Sequence, residues 1–100
     1  MKKHTYTFSS ELWLYPTETA AWHFITLPKK ESEAIKKTQI GPRRGWGSVP
    51  VSVTIGKTTW QTSIFPDKRL GTYILPVKAS VREKESLRAG RAVRASISLR

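Results

Sequence analysis

Alternation of apolar and polar residues around one Gly-Lys dipeptide limits the possible fold more than any other feature of this sequence. Val49, Val51, Val53 and Ile55 alternate with polar residues or proline, and after Gly56-Lys57 the alternation resumes over residues 58–64. Side chains two positions apart share one face of a strand, so both segments are typical of half-buried strands. A two-residue link that begins with glycine favours a type II′ hairpin, because glycine takes positive φ without steric cost. The predicted register pairs Ile55 with Thr58, Val53 with Trp60, Val51 with Thr62 and Val49 with Ile64.

Four further strands and two short helices flank this hairpin. The strands are predicted at residues 6–14, with Tyr6, Phe8, Leu12 and Leu14 on one face, and at residues 20–27, 72–76 and 93–99. Helices are predicted at residues 29–38 and 78–87, each following a Leu-Pro pair closely, and Gly90 is expected to end the second. Aromatic residues at period-two positions of the strands are predicted to lie in the core, namely Trp22, Phe24 and Trp60.

The predicted elements run β-β-α-β twice, with the Gly56-Lys57 turn at the midpoint. Tyr15-Pro16 recurs as Phe65-Pro66, and Leu27-Pro28 recurs as Leu75-Pro76, each at the matching place in its half. Internal duplication would explain these matches, although two dipeptides can also match by chance. Six short strands with two helices predict a mainly β fold, a small six-stranded barrel closed so that few strand edges stay exposed.

Length, charge and composition narrow the class of protein. One hundred residues are enough for a single domain, 1–100. The absence of cysteine excludes disulfide scaffolds, thiolate zinc sites and cysteine nucleophiles. No apolar run is long enough for a membrane span and none resembles a signal peptide, so we expect a monomeric cytoplasmic protein. A net charge of +11 favours anionic partners, of which nucleic acid is the commonest.

Four sequence blocks together resemble a known family. They are Ala21-Trp22-His23-Phe24, Arg43-Arg44-Gly45-Trp46-Gly47-Ser48-Val49, Thr62-Ser63-Ile64-Phe65-Pro66 and Tyr73-Ile74-Leu75-Pro76-Val77-Lys78. In this order they resemble the domain of unknown function nineteen-oh-five, which occurs alone or fused to other domains. The resemblance implies a double-split β-barrel, an architecture shared with AbrB-like transcription regulators and MazE-type antitoxins. Those proteins bind DNA as dimers of shorter chains, but a shared fold does not by itself carry function.

The glycine-rich loop at residues 41–48 is the first candidate site. Its glycines allow close approach of a ligand, Arg43 and Arg44 offer forked donors for phosphate or carboxylate, and Trp46 offers a stacking surface beside Ser48. The matching place in the second half, residues 88–91, lacks this composition. A solvated loop whose tryptophan packs on the core is the alternative interpretation.

Two further candidates are weaker. Lys68 and Arg69 make the turn at residues 66–71 basic, whereas the counterpart turn after Pro16 is not, although a polar turn needs no function. Lys78 opens a predicted helix, where its charge opposes the helix dipole, and a nearby anion would explain it. With Trp22, Thr62 and Ser63, this lysine could line a small-molecule pocket at the mouth of the barrel.

The sequence therefore favours a non-enzymatic binding module. The leading hypothesis is an anionic ligand such as nucleic acid, bound by Arg43, Arg44, Trp46 and Ser48 with Lys68, Arg69 and Lys78. The alternatives are a small-molecule pocket lined by Trp22, Thr62 and Ser63, in which catalysis stays open, and an accessory domain that binds a protein partner. No cofactor is indicated, and His4 and His23 lack the neighbours of a metal site.

Overall fold

Six strands and two helices make up the described part of the molecule. A computed structural model describes residues 4–16, 21–39 and 47–100. In chain order the elements are β1 (Thr5–Pro16), β2 (Ala21–Thr26), α1 (Lys29–Thr38), β3 (Val49–Ile55), β4 (Thr58–Asp67), β5 (Thr72–Pro76), α2 (Ala79–Lys84) and β6 (Ala92–Leu99). The strands form a closed antiparallel barrel in the order β1-β2-β5-β4-β3-β6. The predicted mainly β, six-stranded barrel with two short helices is confirmed.

The central hairpin has the predicted register. Val49 pairs with Ile64, Val51 with Thr62, Val53 with Trp60 and Ile55 with Thr58. Gly56 has a φ of 58°, as the first residue of a type II′ turn requires. Gly56 also packs against the side chain of Glu85, the C-cap residue of α2. A Cβ on Gly56 would lie 2.7 Å from Glu85 Cδ. The backbone angle of the turn therefore favours glycine, and a Cβ at this position would also displace the Glu85 side chain.

The core fills the interior of the barrel with the inward side chains of all six strands. Both strand alternation and barrel closure place these residues inside, and Trp60 is among them as predicted. The helices add Ile35 of α1 and Val81 of α2, which are buried against the barrel. Fully buried strand residues include Leu12, Ile25, Val51, Val53, Ile64, Leu75 and Ile97.

Two aromatic residues predicted to lie in the core are on the outside of the barrel. Trp22 is 53% exposed, and Phe24 is only half-buried. The inward positions of β2 are those of His23 and Ile25, so the pleat turns Trp22 and Phe24 outward. Strand β2 has apolar residues on both faces, and alternation alone does not tell which face closes over the core.

The second helix is shorter than predicted, and Gly90 does not end it. Helix α2 ends at Lys84, and Ser86 takes a left-handed φ of 54°. The Leu87 amide donates to the Arg82 carbonyl at 2.9 Å and the Ser86 amide to the Glu83 carbonyl at 3.3 Å, which together form a Schellman cap. Gly90 lies in the following turn, with a φ of 92°. Neither helix is long and apolar enough to cross a membrane.

The two halves of the chain have the same topology. Exchanging β1, β2 and β3 for β4, β5 and β6 leaves the order of strands around the barrel unchanged. Where β2 meets β5, equivalent backbone groups exchange equivalent bonds: the Leu27 amide donates to the Tyr73 carbonyl, and the Val77 amide donates to the His23 carbonyl, both at 2.9 Å. This approximate two-fold symmetry makes each residue of one half comparable with a residue of the other.

Candidate functional site

Two equivalent corners join the barrel to its helices. The α1 corner is the segment from Leu27 to Ser32, which leads from β2 into α1, and the α2 corner is the segment from Val77 to Arg82, which leads from β5 into α2. Pro28 is the N-cap residue of α1 and Lys78 is that of α2. Because the backbone bonds of the two corners match, their differences lie in the side chains.

A pocket of about 350 Å³ lies at the α2 corner. Trp22, Trp60 and Val77 form apolar walls, and Thr62 adds a hydroxyl group. Two cationic side chains, Lys78 and Arg82, also line the pocket, and no described lining residue is acidic. A concave, mostly apolar site with a few polar groups is the usual form of a small-molecule site.

The guanidinium group of Arg82 is held in place at this corner. Its Nε donates to the Val77 carbonyl at 3.1 Å, and its Nη1 donates to His23 Nε2 at 3.5 Å. The first bond has ordinary geometry, whereas the second is at the long limit for a hydrogen bond. With Nε engaged by the backbone, the other end of the fork is oriented toward His23 beside the pocket.

His23 presents both of its ring nitrogens at this corner. A guanidinium only donates, so in the contact with Arg82 the acceptor is His23 Nε2. His23 Nδ1 is shielded from solvent and has no hydrogen-bond partner among the described residues. A buried polar atom without a partner is costly, and a water molecule would satisfy it.

The α1 corner is the neutral counterpart of this pocket. Ser32, which is 2% exposed, takes the place of Arg82, since each side chain bonds the carbonyl five residues earlier. The Ser32 hydroxyl donates to the Leu27 carbonyl at 3.4 Å and accepts from the Tyr73 amide at 3.0 Å. The groove beside it is lined by one acidic and one basic residue, Glu11 and Lys29. Charge separates the two corners.

The structure brings together three residues that sequence predicted for a pocket. Trp22, Thr62 and Lys78 line the α2 pocket although they come from β2, β4 and the start of α2. Ser63 is not among the lining residues. The prediction of a pocket at this end of the barrel therefore has a geometric basis.

The residues of the leading loop hypothesis fall mostly outside the described ranges. Arg43, Arg44 and Trp46 lie there, and Ser48 is half-buried just before β3. In the second basic turn, Lys68 is exposed, whereas Arg69 pairs with Asp67 through Nη2 at 3.1 Å. This turn and Lys78 lie at opposite ends of β5, and neither Lys68 nor Arg69 lines the pocket that contains Lys78.

Asp67 fixes the β4–β5 turn from a mostly buried position. Its carboxylate accepts bonds from Nε and Nη2 of Arg69 and from the Arg69 amide. Hydrogen bonding to the Arg69 side chain is the main reason that the pKa of Asp67 is below its ordinary value, and burial opposes the shift. The same contact with Asp67 raises the pKa of Arg69. This ion pair belongs to the turn.

Sequence inspection missed Arg82 and the involvement of His23 and Trp60 in a pocket. The signal was present in the repeat: Leu27-Pro28 and its match Leu75-Pro76 precede the two helices, but they are offset by two positions from true structural equivalence. The structure pairs Leu27 with Val77, and this alignment places Ser32 beside Arg82. No group of three histidine, aspartate or glutamate residues in the described ranges could hold a metal ion.

The fold is a small closed antiparallel β-barrel with a cationic pocket at one of its two helix corners. The chain matches the family model of Domain of unknown function (DUF1905) over residues 8–97, and it belongs to that family. The resemblance of the four sequence blocks is thereby confirmed. No curated protein matches the chain.

Proposed function

We propose that this protein binds a small planar anion in the α2 pocket. The observation that supports the proposal is the pairing of two cations, Lys78 and Arg82, with two tryptophan walls in a pocket without an acidic lining residue. Charge of one sign in a partly apolar cavity attracts a ligand of opposite charge more strongly than it would in water. The symmetry-related α1 corner, with Glu11 and Lys29, has no such excess.

Each part of the pocket has a role in this proposal. The Lys78 ammonium and the free end of the Arg82 guanidinium bind a carboxylate or phosphate group. The indole rings of Trp22 and Trp60 contact the flat, apolar body of the ligand. The hydroxyl of Thr62 is available for polar atoms on that body.

The volume of the pocket limits the size of the ligand. At about 350 Å³ it lies near the lower end of small-molecule sites, which span about 300–1,000 Å³. An aromatic acid or one nucleotide is of suitable size, whereas a folded macromolecule could insert only a side chain or a base. A small ligand is therefore the occupant that the geometry supports best.

The loop hypothesis remains a separate prediction. Its phosphate-binding and stacking residues, Arg43, Arg44 and Trp46, lie outside the described ranges. The net charge of +11 supports any anionic ligand equally. The α2 pocket is preferred because it combines two cations, aromatic walls and a hydroxyl group in one cavity.

Isothermal calorimetry and thermal shift with benzoate and adenosine monophosphate test the proposal, with inorganic phosphate as a probe that lacks a flat body. We expect the flat probes to bind and to raise the melting temperature, and phosphate to bind more weakly. Lys78→Gln and Arg82→Gln should each weaken binding about tenfold, in keeping with loss of one charge-assisted bond.

Lys84→Gln is the matched control, because it removes the same charge from the same helix and Lys84 does not line the pocket. Equal losses from Lys78→Gln and Lys84→Gln would mean that binding depends on net charge alone. No binding of either flat probe at millimolar concentration would contradict the proposal.

A further inference from the structure

Four aromatic side chains share the outer face of the β1–β2 pair. Trp13 lies opposite Phe24 and Tyr15 lies opposite Trp22, two residues further along each strand. The intervening pair, Leu14 and His23, belongs to the other face of the sheet, as does the fully buried pair of Leu12 and Ile25. We call the set of Trp13, Tyr15, Trp22 and Phe24 the aromatic face.

The aromatic face has two rows. The row of Trp13 and Phe24 is anchored, and the row of Tyr15 and Trp22 is open to solvent. The Trp13 and Phe24 ring centroids are 5.0 Å apart, and the Trp13 indole nitrogen donates to the Thr26 hydroxyl at 2.8 Å. Tyr15 is 55% exposed and Trp22 is 53% exposed. Large apolar side chains that cluster on a surface usually mark an interaction site.

Basic side chains border this face on several sides. Lys78 and Arg82 share the α2 pocket with Trp22, and Lys29 lines a groove with Trp13. Arg69 is 74% exposed and lies within electrostatic reach of Tyr15, which contributes to its raised pKa after the larger effect of Asp67. Glu11 lies in the same groove as Lys29, so the balance of described charge around the face is positive.

These observations favour one kind of partner. A second copy of the chain would bring together two surfaces with cationic borders, from molecules that each carry a net charge of +11. An anionic partner has the complementary charge, and open aromatic rings require flat groups to cover them. Single-stranded nucleic acid supplies phosphates and bases together.

We propose that the aromatic face binds single-stranded nucleic acid, with bases stacked on Tyr15 and Trp22 and phosphates near the bordering cations. The two aromatic rows are about 7 Å apart, the distance spanned by two residues of a strand. Consecutive bases of an extended single strand can therefore contact consecutive rows. Base pairing in a duplex would hide the base faces that this contact needs.

The equivalent surface of the other half supports a one-sided site. The symmetry of the barrel relates the pair of Phe65 and Ile74 to the anchored row. It relates the pair of Asp67 and Thr72 to the open row of Tyr15 and Trp22. The Asp67 carboxylate is anionic and already bonded to Arg69. The open aromatic pair therefore occurs in only one of these two places.

Fluorescence anisotropy with labelled oligothymidylate and oligouridylate of about 12 nucleotides tests the proposal, since single-strand sites cover about 4–16 nucleotides. We expect both oligomers to bind more tightly than a duplex of equal length at the same salt concentration. Tighter binding of the duplex would overturn the proposal, because it would indicate binding by charge alone. A preference between the two oligomers distinguishes a DNA site from an RNA site.

Variants of β1 separate stacking from charge. Tyr15→Ala should weaken oligomer binding about tenfold with an unchanged salt dependence, and Tyr15→Phe should restore it. Leu14→Ala is the matched control, because Leu14 is an exposed neighbour on the opposite face of the strand. Circular dichroism and melting temperature confirm that the variants fold. Equal affinity of Tyr15→Ala and Leu14→Ala would overturn the proposal.

This inference and the proposed function fail separately. Tyr15 is outside the α2 pocket, so Tyr15→Ala should leave benzoate binding unchanged. Trp22 belongs to both surfaces, and Trp22→Ala should weaken both kinds of binding. Oligomer binding that survives Trp22→Ala and Tyr15→Ala together would contradict the stacking surface, whatever the result with small anions.

Discussion

The two helix corners have the same backbone and opposite chemistry. At the α1 corner a buried serine, Ser32, bonds the Leu27 carbonyl and the Tyr73 amide. At the α2 corner Arg82 bonds the corresponding Val77 carbonyl and extends toward His23. The first arrangement closes the corner, and the second leaves a cationic pocket.

This difference shows that the barrel does not require a charged side chain at either corner. A serine and an arginine can serve the same carbonyl, so backbone satisfaction does not explain why the α2 corner has a charged side chain. Arginine loses more side-chain freedom than serine when it is ordered. The binding role that we propose for the guanidinium group would explain its use at this corner.

The largest expected effect comes from exchanging the two corner residues. Ser32→Arg should lower the free energy of unfolding by about 3–5 kcal/mol, because it places a guanidinium without a carboxylate partner at a buried position. Arg82→Ser should cost about 1 kcal/mol or less, since it removes a half-buried bond to a carbonyl. Urea denaturation measures both. Similar costs for the two exchanges would show that the corners are equivalent.

The C-terminal end of α2 is bonded to the central hairpin. The Glu85 carboxylate accepts from the Lys57 amide at 3.2 Å and from the Thr58 hydroxyl at 2.6 Å. Gly56→Ala should cost about 2–3 kcal/mol, because a Cβ at positive φ is strained and displaces Glu85 from these bonds.

Glu85→Gln in the Gly56→Ala background tests whether part of that cost comes from displacing Glu85. Most of the coupling between the hairpin and α2 should already be lost, so the double variant should be less destabilised than the sum of the single variants. Strict additivity in urea denaturation would contradict the fastening of α2 through Glu85.

A smaller effect of opposite sign is expected at the end of α2. Ser86→Gly should stabilise the protein by about 0.5–1 kcal/mol, because glycine adopts the left-handed φ of 54° without strain. Thermal and urea unfolding measure the change. Gln39 at the end of α1 is the control, since it is in an extended conformation and Gln39→Gly should not stabilise.

The smallest effect concerns the β4–β5 turn, which corresponds to the open aromatic pair of the other half. Arg69 lowers the folded-state pKa of Asp67, so the pair stabilises the fold above the unfolded-state pKa of about 3.9 and the stabilisation is lost as pH falls through the folded-state value. Asp67→Asn should therefore be less stable than the natural protein at neutral pH, with a gap that narrows in acid. A gap independent of pH would contradict an ionic contribution.

Sequence was sufficient for the architecture because the strongest pattern was local. Alternation on both sides of Gly56-Lys57 determined one hairpin and its register, and the Leu-Pro pairs located both helices. The predicted end of α2 was wrong because Ser86 takes the left-handed conformation of the cap in place of glycine. Serine has no strong preference for left-handed φ.

The site was only partly predictable, for a physical reason. Trp22, Thr62 and Lys78 were proposed together and do line one pocket. Arg82 was missed because its importance depends on the bond to Val77 and on contact with His23, which lie far apart in sequence. Trp22 was assigned to the core because β2 has apolar residues on both faces. Alternation alone does not show which of these faces points into the barrel.

Chemical-shift mapping is the most direct test of the difference between the corners. In a titration of the ¹⁵N-labelled protein with benzoate, the Trp22 indole and the amides of His23 and the α2 corner should shift in a saturable manner. The amides of Leu27 and Ser32 at the α1 corner should not move. Equal shifts at both corners, or larger shifts at the α1 corner, would contradict the account.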